Sequence, residues 1–96
     1  MHLTFSRFID GDLDEIAGYI AQDNPERAVT FIEDIRAKCR GISHNPLLYQ
    51  LRADIGPGIR LASVGNYAIL FRVLQDAVRI ERVVYGGRNL PGIFDS

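Results

Sequence analysis

Two apolar stripes at helical spacing, separated only by Asp23-Asn24-Pro25, constrain this chain more than any other feature. Leu13, Ile16, Ala17 and Ile20 recur at i, i+3, i+4 and i+7, which predicts a helix running to about Gln22 with one face turned to a core. Ala28, Phe31, Ile32, Ile35, Cys39 and Ile42 make a second stripe, with Glu26, Thr30, Glu33, Asp34 and Ala37 mostly off it. Asn24 is placed to cap the second helix, and Pro25 suits its first position, where the missing N–H costs nothing. So short a break forces the helices back on each other as an antiparallel hairpin.

The rest of the chain reads as strands. Leu3 and Phe5 alternate with Thr4 and Ser6, predicting a short strand over about residues 2–7. Residues 43–58 are punctuated by turn formers and predict a long connector, pinned to the body by Leu47, Leu48, Tyr49, Leu51 and Ile55. Three strands follow, at about 59–64, 67–74 and 77–85. Gly65-Asn66 and Gln75-Asp76 are short enough to make them an antiparallel meander. Tyr67-Ala68-Ile69-Leu70-Phe71 is nearly all apolar, as expected of an interior strand covered on both faces. The last strand changes phase between Ile80 and Val83, which suggests a bulge. The predicted fold is α+β and a single domain over residues 1–96. It has an N-terminal strand, then a helical hairpin packed on a mostly antiparallel sheet that the C-terminal meander completes, in the order β-α-α-β-β-β.

Composition removes several functional classes. No apolar run reaches the roughly 18 residues needed to span a bilayer. The start lacks a basic region followed by an apolar stretch, so no signal peptide is expected. A single cysteine, Cys39, allows no internal disulfide, and a cytoplasmic protein is expected. Net charge is −1, and ten arginines stand against a single lysine, Lys38, a poor balance for general nucleic-acid binding.

Most candidate motifs fail on inspection. Asp10, Asp12 and Asp14 have the spacing of a calcium loop, but Glu15 and Ala21 stand where that loop needs Gly and a bidentate Glu. They read instead as acids at a helix start. Ser63 lies in an incomplete nucleophile elbow, lacking the first Gly. His2, His44 and Cys39 are too few for a zinc site. Gly56-Pro57-Gly58 is a turn rather than a phosphate cradle, because Pro57 removes a donor. The arginines are harder to dismiss. Arg60, Arg72, Arg79, Arg82 and Arg88 fall in or just after the meander, beside Tyr67 and Tyr85, and such a set suits either ion pairs or a groove for an acidic segment.

Taken in order, these segments carry a resemblance. Tyr19-Ile20-Ala21 and Asp23-Asn24-Pro25 mark the bend, and Gly56-Pro57-Gly58-Ile59-Arg60 follows the connector. Tyr67-Ala68-Ile69-Leu70-Phe71-Arg72 and Arg82-Val83-Val84-Tyr85-Gly86-Gly87-Arg88-Asn89-Leu90 come after it. Together they resemble the RelE/ParE superfamily of bacterial toxins, on the ParE side, over nearly the whole chain. The resemblance implies a toxin made beside a ParD-like antitoxin, a ribbon-helix-helix DNA-binding dimer whose C-terminal segment wraps the toxin. ParE-type toxins are understood to inhibit DNA gyrase by binding, whereas RelE-type toxins cleave messenger RNA on the ribosome.

The residues choose between these. RNA cleavage needs a base, an acid and cations on a phosphorane-like transition state. RelE-type members supply lysines and arginines on the second and third strands and a basic residue after the last. Here Ala68 follows Tyr67, the strands hold no lysine, and only Arg60 and Arg88 match. The expectation is a non-enzymatic toxin without cofactor or metal, joined to its antitoxin in a hetero-oligomer and meeting DNA only through it; a RelE-like ribosome-dependent endonuclease is the alternative. Arg60, Tyr67, Arg72 and Arg82 are expected to line an antitoxin groove, and Arg88, Asn89, Leu90 and Phe94 to contact the target. Leu90 and Phe94 would equally serve to cap the core.

Overall fold

A computed structural model describes residues 1–94. Strand β1 (His2–Phe5) leads into helices α1 (Ile9–Ala21) and α2 (Pro25–His44); β2 (Gln50–Leu51), β3 (Arg60–Val64), β4 (Tyr67–Leu74) and β5 (Ala77–Tyr85) follow. The five strands lie in the order β1-β5-β4-β3-β2, with β1 parallel to β5 and every other pairing antiparallel. Asn24 caps α2 as expected, its Oδ1 accepting from the Arg27 N–H at 3.0 Å.

The sheet is covered on both faces. On one, Leu13, Ile16, Phe31, Ile35 and Ile42 from the hairpin pack on Ile69, Phe71, Val78, Ile80 and Val83. On the other, Ile55 and Ile59 of the connector and Leu90 of the tail close over Ala68, Leu70 and Val84. Leu70 and Phe71, adjacent on β4 and pointing opposite ways, are therefore both fully buried. The expected bulge is present. Leu70 pairs with Arg82 and Phe71 with Ile80, leaving Glu81 as the extra residue that returns Val83 to the helical face.

The connector departs from expectation. Ile55 is buried and Tyr49 packs edge-on against Phe71, but Leu47 and Leu48 are 70% and 81% exposed and Leu51 is exposed as well. Pro46 is the buried member here. It opens a 3-10 turn over Pro46–Leu48, and so tight a turn leaves the next two side chains facing outward. The segment also contributes β2, two residues paired to Arg60 and Leu61, where no strand was anticipated.

Two details shape one end of the molecule. Gly65 turns the β3–β4 hairpin at φ +55°, and a Cβ there would come within 3.3 Å of the Phe31 ring. β1 covers β5 only as far as Ile80. Past that point Ser6 takes over, its N–H donating to the Ile80 carbonyl at 2.9 Å and its hydroxyl to the Glu81 carbonyl at 2.6 Å. Asp12 then accepts the Val83 N–H at 3.0 Å. Ser6 and Asp12 thus occupy the edge of the sheet between Ile80 and Val83, which β1 leaves uncovered.

Candidate functional site

Helix α1 from Asp12 to Ile20, the first two turns of α2, the β3–β4 turn and the adjoining ends of β4 and β5 border a groove of about 790 Å³. Its apolar lining is Ile16, Ile20, Phe31 and Val83, side chains the stripes place on the inner faces of the hairpin and sheet. Tyr19, Tyr67 and Tyr85 form the walls. Phe31, Tyr67 and Tyr85 run as a chain of tilted and edge-on rings, with centroids 5.5 and 6.1 Å apart. Tyr85 lies back over Gly87, where a Cβ would stand 2.5 Å from the ring, so any side chain there would push the ring aside. The Gly86 N–H donates to the Asn66 carbonyl at 2.8 Å and ties the exit of β5 to the β3–β4 turn.

Burial, with smaller contributions from Tyr19, Glu15 and Tyr85, holds the Tyr67 phenol above its usual range. At neutral pH it is a hydroxyl that can donate a hydrogen bond.

A buried carboxylate holds one side of the groove in place. Asp12 is 7% exposed and accepts from Arg82 Nε at 2.8 Å, Arg82 Nη2 at 2.9 Å and the Val83 N–H. The same bonds hold the Arg82 guanidinium firmly protonated, 5.1 Å from the centre of the Phe8 ring. Asp12 was read from sequence only as a helix-start acid. It lies four residues before Ile16 and so shares the buried stripe of α1, and a carboxylate on that face is the signal that it has an internal partner.

The structure scatters the residues singled out from sequence. Tyr67 and Arg88 line the groove, and Arg82 stands behind it on Asp12. Arg60 lies elsewhere and donates to the Tyr49 carbonyl at 2.7 Å. Arg72 is on the opposite face of the sheet, where it donates to the Pro57 carbonyl at 2.9 Å and to Glu81 at 2.6 Å, with the Phe94 ring 5.4 Å away. Arg79 shares the Glu81 carboxylate at 3.1 Å. Asn89 is exposed just past the groove, and Leu90 is buried in the cluster on the opposite face. Sequence reading passed over Glu15 and Tyr19 as groove residues, although Tyr19 flanks the α1 stripe one turn after Glu15. Among the described residues no three His, Cys, Asp or Glu side chains converge as metal ligands would, and no helix is long and apolar enough to cross a membrane.

Comparison with known proteins adds to this geometry. Residues 3–90 match the family described as the ParE toxin of type II toxin-antitoxin system, parDE. Toxin ParE3 of Caulobacter vibrioides is 29% identical over 86 residues, which span 88% of this chain and 86% of that protein. A chain in the solved structure of the chromosomal ParDE TA system from P. aeruginosa superposes with a TM-score of 0.76 at 25% identity, covering 88% of this chain and 95% of that one.

Proposed function

This chain belongs to the ParE family of toxins of type II toxin–antitoxin systems, and we propose that it acts by gripping a target protein, DNA gyrase, without chemistry of its own. In this reading a ParD-like antitoxin neutralises it by seating a segment in the groove, and the two meet in the cytoplasm as a hetero-oligomer.

One observation carries the reading: the arginines of the meander are occupied within the fold. Arg60 holds the connector at Tyr49, Arg72 and Arg79 share Glu81, and Arg82 is closed on Asp12. A phosphodiester-cleaving site needs unpaired cations converging with a base and an acid. Here the position after Tyr67 is a buried alanine, Ala68, and Arg88 alone brings a cation without a side-chain partner to the groove, among the described residues. What the groove offers instead is tyrosine and aliphatic surface, the composition of a protein-docking site.

On this basis Tyr67 is the antitoxin contact at the groove, with Arg82 supporting it from behind. Arg60 and Arg72 belong to the proposal only for an antitoxin segment long enough to pass beyond the groove. Arg88 and Asn89 are the target contacts, which a groove occupant would cover. Leu90 and Phe94 enter the target surface through the tail that carries them.

Two assays separate the alternatives. The purified protein is added to a gyrase supercoiling reaction and, separately, to a translating extract with a defined message. Inhibited supercoiling with intact message is the expected result. Message cut at the decoding site, and intact with an Arg60→Ala/Arg88→Ala variant, would replace this reading with the RelE-like one.

A further inference from the structure

Arg72 reaches from β4 to three separate segments of the chain. Its Nε donates to the Pro57 carbonyl of the connector at 2.9 Å, and its Nη1 to Glu81 Oε2 at 2.6 Å. Its Cζ stands over the Phe94 ring of the tail, 5.4 Å from the centre. Glu81 is the extra residue of the β5 bulge, its side chain is only 12% exposed, and its other oxygen takes Arg79 at 3.1 Å. The pairing of β4 with β5 and the bulge within it therefore set where the guanidinium lies, independently of the tail.

The tail is held unevenly along its length. Leu90 is buried in the cluster on this face of the sheet, and Ile93 packs against that cluster. Phe94 keeps 37% of its surface exposed. Toward Gly56 its ring meets bare backbone, where a Cβ would stand 3.5 Å from both Phe94 Cδ2 and Arg72 Nη2. With glycine on one side, the ring takes its place from the group on the other, and a planar guanidinium pinned at two of its nitrogens is a rigid platform for it. Resting on the reading that the tail contacts the target, we propose that Arg72 is a positioning residue for target binding. From the face of the sheet opposite the groove it holds Phe94, partly exposed, in the place where the target meets it.

The test is a functional double-mutant cycle on the full chain in the gyrase supercoiling assay. An exposed cation–π contact is worth a factor of about two to five in an equilibrium, so Arg72→Met should raise the concentration for half-inhibition by about that much. Phe94→Ala should raise it at least as far. Arg72→Met added to Phe94→Ala should change nothing more, because the arginine acts through the ring; a role in stability alone would give the same loss in both backgrounds. Phe94→Trp places a single tryptophan in a chain that has none, and adding Arg72→Met should steepen its quenching by acrylamide while the far-ultraviolet circular dichroism stays unchanged. Arg72→Lys keeps a cation for Glu81 but no planar face for the ring, and it takes the place of Arg72→Met should the latter unfold. No loss from the Arg72 variant, equal losses in the two backgrounds, or an unmoved quenching slope overturns the proposal and leaves the tail as the target contact. Inhibition unaffected by Phe94→Ala, or absent from the parent, removes the tail reading and the proposal with it.

Discussion

Replacing Asp12 with alanine tests the joint on which the groove depends. The carboxylate accepts three hydrogen bonds, two from Arg82 and one from the Val83 N–H, and links α1 to β5 across 70 residues of sequence. Truncating one member of a buried pair commonly costs about 3–5 kcal/mol, because the other is left uncompensated. Arg82 keeps 21% of its side-chain exposure and can turn partly toward water, which lowers the expectation to about 2–4 kcal/mol. A chain of this size is stable by about 5–14 kcal/mol in all, so the variant should remain folded in buffer but melt about 10–25 °C lower. Asp12→Asn keeps an acceptor for Val83 and loses the charge, for about 1–2 kcal/mol. Urea unfolding of Asp12→Ala, Arg82→Met and the double variant measures the coupling directly. The double variant should lose less than the sum of the single losses, since it leaves no unpaired charge and only the Val83 N–H without its acceptor. A single-variant loss under about 0.5 kcal/mol, or strictly additive losses, would refute the view of this pair as a structural joint.

Two further predictions concern the core and the tail. Burial pushes the Cys39 thiol up to about 11 from 9.0, so the folded chain holds that proton more tightly than the unfolded one. Stability from this source is fully present below pH 9 and falls as pH rises toward 11; Cys39→Ala should flatten that part of the urea-midpoint profile, and identical slopes for the two proteins would contradict it. Leu90 is buried on the far face whereas Phe94 is 37% exposed, so Leu90→Ala should cost about 2–4 kcal/mol and Phe94→Ala about 1 kcal/mol or less by chemical denaturation, an order whose reversal would mean that Phe94 is the stronger plug.

Much of the fold could be read before any coordinates, because its strongest signals are local. The stripes of α1 and α2, the Asn24 cap and the two short meander turns depend on residues within a few positions of one another, and the strand boundaries fall within a residue or two of expectation. Even the bulge showed, since Val78, Ile80 and Val83 cannot share a face without an inserted residue. What escaped depends on register. β2 is a strand only because Gln50 and Leu51 happen to meet Leu61 and Arg60, and nothing in Gln-Leu announces that. The arginines are the sharper case. Arg79 and Glu81 share a strand at i and i+2, which is legible, but Arg72 joins them only through the pairing of β4 with β5, and Arg82 meets Asp12 only once the hairpin has docked.

That pairing bears on how a sheet of this kind recognises a partner. A small α+β sheet can be extended at an edge, contacted on a face, or read through pockets at its ends. Helices cover one face here, and the connector and tail cover much of the other. β1 takes the β5 edge as far as Ile80, and Ser6 and Asp12 take it beyond. Asp12 therefore does two things at once: it satisfies the Val83 N–H at the open edge of β5, and it neutralises Arg82. The surface left at that end is aromatic and aliphatic, with Glu15 and Arg88 exposed at its border. Recognition by a surface of this kind depends on shape and on the placement of single charges rather than on net charge, so an overall charge of −1 sets no limit on it.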